Sequence, residues 1–208
     1  MTASPSEFDI DVRAFCVLFH AALEGFMEGA AHYIYKHAFD KYIFDQEITR
    51  AFFSIYFYSP ELCVGIDDET RWEKLYDNVR NSKDKKVDGF MSVLLKNNHG
   101  ASPKYMKKML MRLGVDLDES WQGFQSLGRL VDARGEFAHW DVRHTEGRKH
   151  TKVVSPEDAL EYARDCLDLA GKIVCRGASS SGDKESLNWY LVLVMKGFRN
   201  KIISQDLL

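Results

Sequence analysis

The residue pair with the clearest chemical potential is Arg134 and His139, which stand in an Arg-x-x-x-x-His arrangement within the stretch RLVDARGEFAHW. Arginine carries a permanent charge, and its planar guanidinium can bind two oxygens of one phosphate. Histidine takes or gives a proton near neutral pH without a large pKa shift. Together the two side chains suit phosphodiester cleavage. The same spacing is also compatible with a structural role, in which Arg134 makes a surface ion pair and His139 caps the end of a helix.

The segment after this pair, WDVRHTEGRKHTKVV, has an irregular pattern and an excess of positive charge. A local basic patch is what binding to a phosphate backbone requires, even in a chain whose net charge is −3. We therefore expect this segment to guide a nucleic-acid backbone. Its basic side chains are Arg143, Arg148, Lys149 and Lys152.

Amphipathic helices are expected to position these groups. Apolar residues from Trp121 to Val131 recur at helical spacing, which predicts a helix from about Asp118 to Ala138 with Arg134 near its end. A broad apolar stripe predicts a long first helix over residues 7 to about 38. Small residues around Gly25 indicate that another helix packs closely against it, either within the same chain or from a second subunit.

Serine followed by proline starts two further predicted helices, at Ser102-Pro103 and at Ser155-Pro156. Gly114 is expected to close the first of them. A further helix is predicted from about Phe44 to Tyr58. The stretch RGASSSGDK at residues 176–184 predicts a flexible break before a C-terminal helix.

The composition favours one all-α domain that spans residues 1–208. Hydrophobic residues make up 45% of the chain, enough for a packed core, and only 4 prolines occur. The cysteines form no Cys-x-x-Cys pair and no zinc-site spacing, so we expect no metal and no cofactor. The N-terminus lacks a secretory signal and no apolar run is long enough for a membrane span. These features favour a cytoplasmic protein without a membrane partner.

The stretch LVDARGEFAHW resembles the signature of the HEPN superfamily (higher eukaryotes and prokaryotes nucleotide-binding), and its closest form is that of the RiboL-PSP-like branch. The positions that match the signature in register are Leu130, Val131, Arg134, Phe137, Ala138 and His139. FHAALEGFMEGAAHYI, SPKYMKKMLMRLGVD and SPEDALEYARDCLDLAGKIV resemble other helices of the family. By pattern, the resemblance covers most of residues 10 to 175.

This resemblance implies an antiparallel helical bundle with additional helices and a two-fold dimer in which the motif helices face each other. Many such proteins are metal-independent endoribonucleases that act as toxins or antiviral effectors, sometimes with an antitoxin partner. In that case His139 is the general acid or base and Arg134 binds the phosphate. Other members have lost activity and serve as dimerisation or binding modules.

Two positions depart from the family pattern. Gly135 follows the arginine where a polar residue, commonly Asn, is expected, and Trp140 follows the histidine where this branch usually has Gly. Glu136 or Asp132 could replace the missing polar group, and Trp140 could stack on an RNA base or pack at the helix end. The leading hypothesis is therefore a dimeric endoribonuclease, and the competing one is a silent HEPN module used for dimerisation or for binding a partner or nucleotide.

Overall fold

The computed structural model describes residues 5–58, 76–77, 79–80, 92, 100–138 and 154–183. The predicted all-α fold is confirmed, and no strand occurs within these ranges. The predicted C-terminal helix lies outside them. The helices are α1 (Pro5–Asp40), α2 (Arg50–Tyr58), α3 (Pro103–Met111), α4 (Gln122–Ala138) and α5 (Pro156–Ser181).

Helices α4 and α5 form an antiparallel pair. Arg129 of α4 lies over the ring of Tyr162, whereas Ser126, one turn earlier, donates a hydrogen bond to Asp165, which comes later in α5. Still earlier in α4, a β-carbon on Gly123 would lie 2.5 Å from the Leu169 β-carbon. The two backbones therefore approach closely at Gly123 because that residue has no side chain.

Helix α1 packs against both members of this pair, and one core joins the three helices. Its buried face differs from the predicted stripe. Ile10 and Leu18 belong to that stripe but are 65% and 70% exposed. Gly25 is exposed as well, and a β-carbon there would meet no atom within 4 Å. Among the described residues, no helix of the same chain packs closely at Gly25, whereas such packing occurs at Gly123; a contact of Gly25 with a second subunit stays a prediction.

Two predicted N-caps are confirmed in atomic detail. Ser102 and Ser155 each accept a hydrogen bond from the third following backbone N–H, and proline occupies the first turn of each helix. Gly114 has a φ of +65°, consistent with its predicted role in ending the region of α3. Local signals of this kind act through neighbouring backbone groups, so they are readable from the sequence.

Three predicted boundaries are wrong. Helix α2 begins at Arg50 rather than near Phe44, because residues Lys41–Asp45 form a π-helical turn and Gln46 adopts a left-handed φ of 54°. Helix α4 begins at Gln122 rather than Asp118, since the Asp118 carboxylate accepts two hydrogen bonds from Ser120 and forms a turn.

The third boundary concerns the break predicted at residues 176–184. Helix α5 continues to Ser181 and ends where Gly182 takes a left-handed φ of 76°. Ser180 and Ser181 are buried, and Ser180 donates a hydrogen bond to the Leu113 carbonyl. Small polar residues that look like a linker in the sequence thus pack as the last turn of a helix.

Candidate functional site

Arg134 lies one turn before the end of α4 and is partly buried. It follows Leu127 and Leu130, both fully buried, at spacings of seven and four residues along the same helical face. The apolar face of α4 therefore directs the arginine towards the other helices rather than into solvent. This placement does not support the alternative of an ordinary surface ion pair for Arg134.

The guanidinium of Arg134 lies against Gly100. A β-carbon at residue 100 would lie 3.0 Å from Nη1 of Arg134, and Gly100 has a φ of +100°. Both facts favour glycine here, because an L-residue rarely adopts this φ and its side chain would press on the guanidinium. The backbone at residue 100 thus forms one wall of the arginine site.

His20 of α1 forms the adjacent wall. Its Nε2 and Cε1 atoms lie 4.0 and 3.5 Å from the same β-carbon position at residue 100. The side chain is 1% exposed, and neither ring nitrogen makes a well-formed hydrogen bond to a described residue, although the Ala101 backbone is a weak acceptor. The other ring nitrogen, Nδ1, lies 4.0 Å from Oε2 of Glu24. An unpaired buried imidazole is costly, so it is a feature that calls for an explanation.

The pKa of His20 is lowered from 6.5, first by burial and next by the positive charge of Arg134. Glu24 and the backbone of Ala101 act in the opposite direction, with smaller effects. Because the net shift is downward, the imidazole is neutral at pH 7. A neutral imidazole has one nitrogen that accepts a hydrogen bond, and the guanidinium beside it can only donate.

The remaining predicted site residues differ in how much of each the structure describes: the whole residue, the backbone alone, or neither. Asp132 is exposed on α4, and helical geometry sets it about 160° around the axis from Arg134. The backbone of Glu136 belongs to α4, but its side chain lies outside the described residues. The other predicted residues follow α4 directly in the chain and also lie outside the described residues. They are His139, Trp140, Arg143, Arg148, Lys149 and Lys152.

Gly135, the main departure from the family pattern, has open space beside it. A β-carbon at this position would meet no atom within 4 Å. The glycine is therefore not required by close packing, and a polar side chain would fit where the family usually has one.

Neither of the two buried cysteines is poised for nucleophilic chemistry. Burial raises the pKa of the Cys16 thiol to about 11 and that of Cys166 to about 12, so both are protonated at neutral pH. In the described part of the chain, no three His, Cys, Asp or Glu residues are grouped to hold a metal ion. Across the same residues, none of the helices combines the length and hydropathy needed to cross a membrane.

His20 and Glu24 are the residues that the sequence interpretation missed as site components. Their i, i+4 spacing places both on one side of α1, next to a face that carries Cys16 and Leu23. A histidine on a buried helical face, with a carboxylate one turn away, is the signal that could have identified them. Nothing in the sequence, however, indicates that this face meets Arg134.

Comparison with known proteins adds one match. The family model described as RiboL-PSP-HEPN matches residues 2–175, which include α1 to α4, Arg134, His139 and most of α5. No curated protein and no solved structure gives a significant match.

Proposed function

Because the chain belongs to the RiboL-PSP branch of the HEPN family, we propose that it is a metal-independent endoribonuclease that acts as a two-fold dimer. The observation that carries the proposal is the position of the Arg134 side chain. The arginine emerges from a buried helical face, is partly buried, and lies against the Gly100 backbone. A preoriented, partly desolvated guanidinium is suited to binding a phosphate.

The proposed reaction uses the RNA's own 2′-hydroxyl as the nucleophile. A base removes the 2′-hydroxyl proton, the 2′-oxygen forms a bond to phosphorus, and the bond from phosphorus to the 5′-oxygen breaks. An acid then gives a proton to that leaving oxygen. The products are a 2′,3′-cyclic phosphate and a 5′-hydroxyl, and no oxidant, metal or external nucleophile is consumed.

His139 is the proposed general base or acid, and Arg134 the proposed phosphate ligand. Negative charge builds up on the phosphoryl oxygens in the transition state, and a fixed cation in a partly buried site stabilises it more than a solvated one does. A dimer would bring two copies of each residue to one cleft, so that one histidine removes a proton while the other supplies one. Arg143, Arg148, Lys149 and Lys152 would bind the RNA backbone on either side, and Trp140 would stack on a base.

The test is cleavage of RNA by purified protein in excess EDTA, with Arg134→Ala and His139→Ala alongside. Loss of a general acid or base, or of a transition-state cation, typically lowers rates by about 10²- to 10⁴-fold. Arg129→Ala is the matched control, because Arg129 lies on the same helix but is exposed and contacts Tyr162. Cyclic phosphate ends formed in EDTA, lost in both site variants and retained in the control, would support the proposal. Full activity in His139→Ala would refute it.

A role as a toxin or an antiviral effector, held in check by an antitoxin or another regulatory protein, is the biological setting we propose for this activity. Overexpression should then slow growth, and His139→Ala should relieve the effect. Growth inhibition that persists in His139→Ala would argue against a nuclease toxin.

The second candidate function is a silent HEPN module for dimerisation or for binding a partner or nucleotide. Gly135 favours it, because the position lacks a polar side chain although space is available for one. A dimer that binds RNA or nucleotide with a dependence on Arg134, but produces no cleavage under any condition, would support this alternative. Gain of RNA cleavage in Gly135→Asn would show that the glycine at this position is what prevents activity.

A further inference from the structure

His20 is a buried titratable side chain that the proposed reaction does not use. It lies at the wall of the arginine site and is almost fully buried, and neither ring nitrogen makes a well-formed hydrogen bond to a described residue. The Ala101 backbone is a weak acceptor that has the smallest effect on its pKa. An imidazole placed in the core only for packing could be replaced by an apolar ring without such a cost. Its position beside Arg134 therefore points to a role in that site.

The two ring nitrogens of His20 face different groups. Nδ1 is on the side of Glu24, whose carboxylate oxygen lies 4.0 Å away. Nε2 is on the side of Gly100, 4.0 Å from the position of a β-carbon there, and Nη1 of Arg134 lies 3.0 Å from that same position. A carboxylate favours the tautomer that carries its proton on Nδ1, and this leaves the lone pair of Nε2 towards the arginine. The acceptor thus faces a group that has only donors to offer.

We propose that His20 is a positioning residue, which holds the guanidinium of Arg134 against the Gly100 backbone while Glu24 orients the imidazole from its opposite edge. The inference rests on the proposed function, since it concerns the phosphate ligand of the same site. It assigns a role within a single protomer, independent of the partner's histidine.

The arrangement makes the arginine site sensitive to acid. Among the described residues, the charged groups that affect the pKa of His20 are Arg134 from α4 and Glu24 from its own helix, and the Ala101 backbone before α3 is a weak hydrogen-bond acceptor. Glu28, one turn beyond Glu24, has a raised pKa because of burial and because of Glu24. Protonation of His20 converts Nε2 from an acceptor to a donor and places a second positive charge beside the guanidinium. Repulsion between the two positive charges then displaces the Arg134 guanidinium from its position against Gly100, so phosphate binding should weaken at acid pH.

This expectation differs from that for an imidazole that binds phosphate directly. A direct ligand gains charge on protonation and would bind phosphate more tightly at acid pH. The sign of the pH dependence therefore separates a positioning role from direct binding.

The first test is the pKa of His20 in the full-length protein, measured by NMR on ¹³C-labelled histidine, with the signal assigned by its loss in His20→Gln. The Arg134→Gln substitution removes a charge that lowers this pKa, so the pKa should rise. Arg129→Gln, which changes an exposed arginine on the same helix, should leave it unchanged. Equal pKa values in wild type and Arg134→Gln would overturn the proposed contact.

The second test is the affinity for a fluorescent, non-cleavable 2′-O-methyl oligoribonucleotide between about pH 5.5 and 8. Relative to His20→Gln, wild-type affinity should fall as the pH decreases; His139 is present in both proteins, so its own titration cancels in this comparison. Gln places a polar amide near the Nε2 position and does not titrate, so His20→Gln should retain binding and lose this acid dependence. Asn reaches only the Nδ1 position, so His20→Asn should bind about tenfold more weakly, equivalent to about 1.4 kcal/mol. An identical pH dependence in wild type and His20→Gln, or a wild-type affinity that rises relative to that of His20→Gln at acid pH, would refute positioning.

The two tests separate this inference from the proposed ribonuclease. A His20 pKa that responds to Arg134→Gln, in a protein that cleaves no RNA, would retain the positioning role and refute the nuclease. Cleavage that depends on Arg134 and His139, with a His20 pKa indifferent to Arg134, would retain the nuclease and refute positioning. Because the NMR measurement uses an arginine variant, it does not depend on the folding of any His20 substitution other than the one used for assignment.

Discussion

Replacing Gly100 with alanine should weaken phosphate binding through a single added methyl group. The residue has a φ of +100°, so a β-carbon introduces backbone strain of about 1–3 kcal/mol. Reduced entropy of the unfolded chain offsets about 0.4–1 kcal/mol of this cost. The new carbon would also lie 3.0 Å from Nη1 of Arg134, which must move by a few tenths of an ångström to reach ordinary contact. We expect a net loss of about 1–2 kcal/mol in stability and several-fold weaker binding of RNA.

Gly114→Ala is the matched control for the backbone strain. Gly114 also has a positive φ, of +65°, and its β-carbon would lie 2.9 Å from the Arg50 carbonyl oxygen, away from Arg134. The free energy of unfolding of both variants should be measured by urea titration. Their affinity for the 2′-O-methyl oligonucleotide should be measured without urea, where each variant is folded. Gly114→Ala should lose stability and keep its RNA affinity, whereas Gly100→Ala should lose both. Equal affinity in the two variants would refute the contact between the Arg134 guanidinium and the backbone of Gly100.

Three further predictions concern stability. Gly135→Ala should stabilise the protein by about 0.5–1 kcal/mol in urea unfolding, because the site is open and alanine favours helix; destabilisation would contradict the open space. Gly123→Ala should instead lower the free energy of unfolding by about 1–3 kcal/mol, because its β-carbon would lie 2.7 Å from the Asp165 carbonyl oxygen. Gly128→Ala on the same helix is the control: its β-carbon would meet no atom within 4 Å, so this variant should be stabilised. Stability should fall as the pH decreases below 6.5, because the lowered pKa of His20 means that the unfolded chain binds its proton first. In thermal unfolding, His20→Gln should lose less stability than wild type as the pH decreases. An identical dependence of stability on pH in both proteins would argue that His20 is not a neutral, buried imidazole in the folded protein.

Part of the site was predictable because its signals are local. Arg134 was identified from its motif, and its place near the end of a helix follows from the 3.6-residue recurrence of Leu127 and Leu130. The caps at Ser102 and Ser155 were predicted for the same reason, since a side chain that bonds to a backbone N–H three residues later requires no distant contact. Two misplaced boundaries came from competing local geometry, as where Asp118 forms a turn with Ser120 before α4 begins.

The packing of helix against helix could not be predicted in this way. Small residues around Gly25 indicated a close neighbour in the same chain or in a second subunit, yet within one chain Gly25 is exposed and α5 packs against Gly123. A glycine lowers the steric barrier to close approach wherever it occurs in a helix. Which glycine is used depends on how the buried faces of several helices fit together, and this is not encoded in the spacing within any one of them.

The sequence by itself determined the helical class, the helix caps, the family and the arginine of the motif, because each depends on neighbouring residues or on a short pattern. Only the tertiary structure revealed the environment of that arginine. Gly100 and His20 are distant from it along the chain and lie beside it because the apolar faces of α1 and α4 share one core, and Glu24 lies beside His20. The pKa of His20 follows from the same packing, since burial and the charge of Arg134 exist only once those faces have come together.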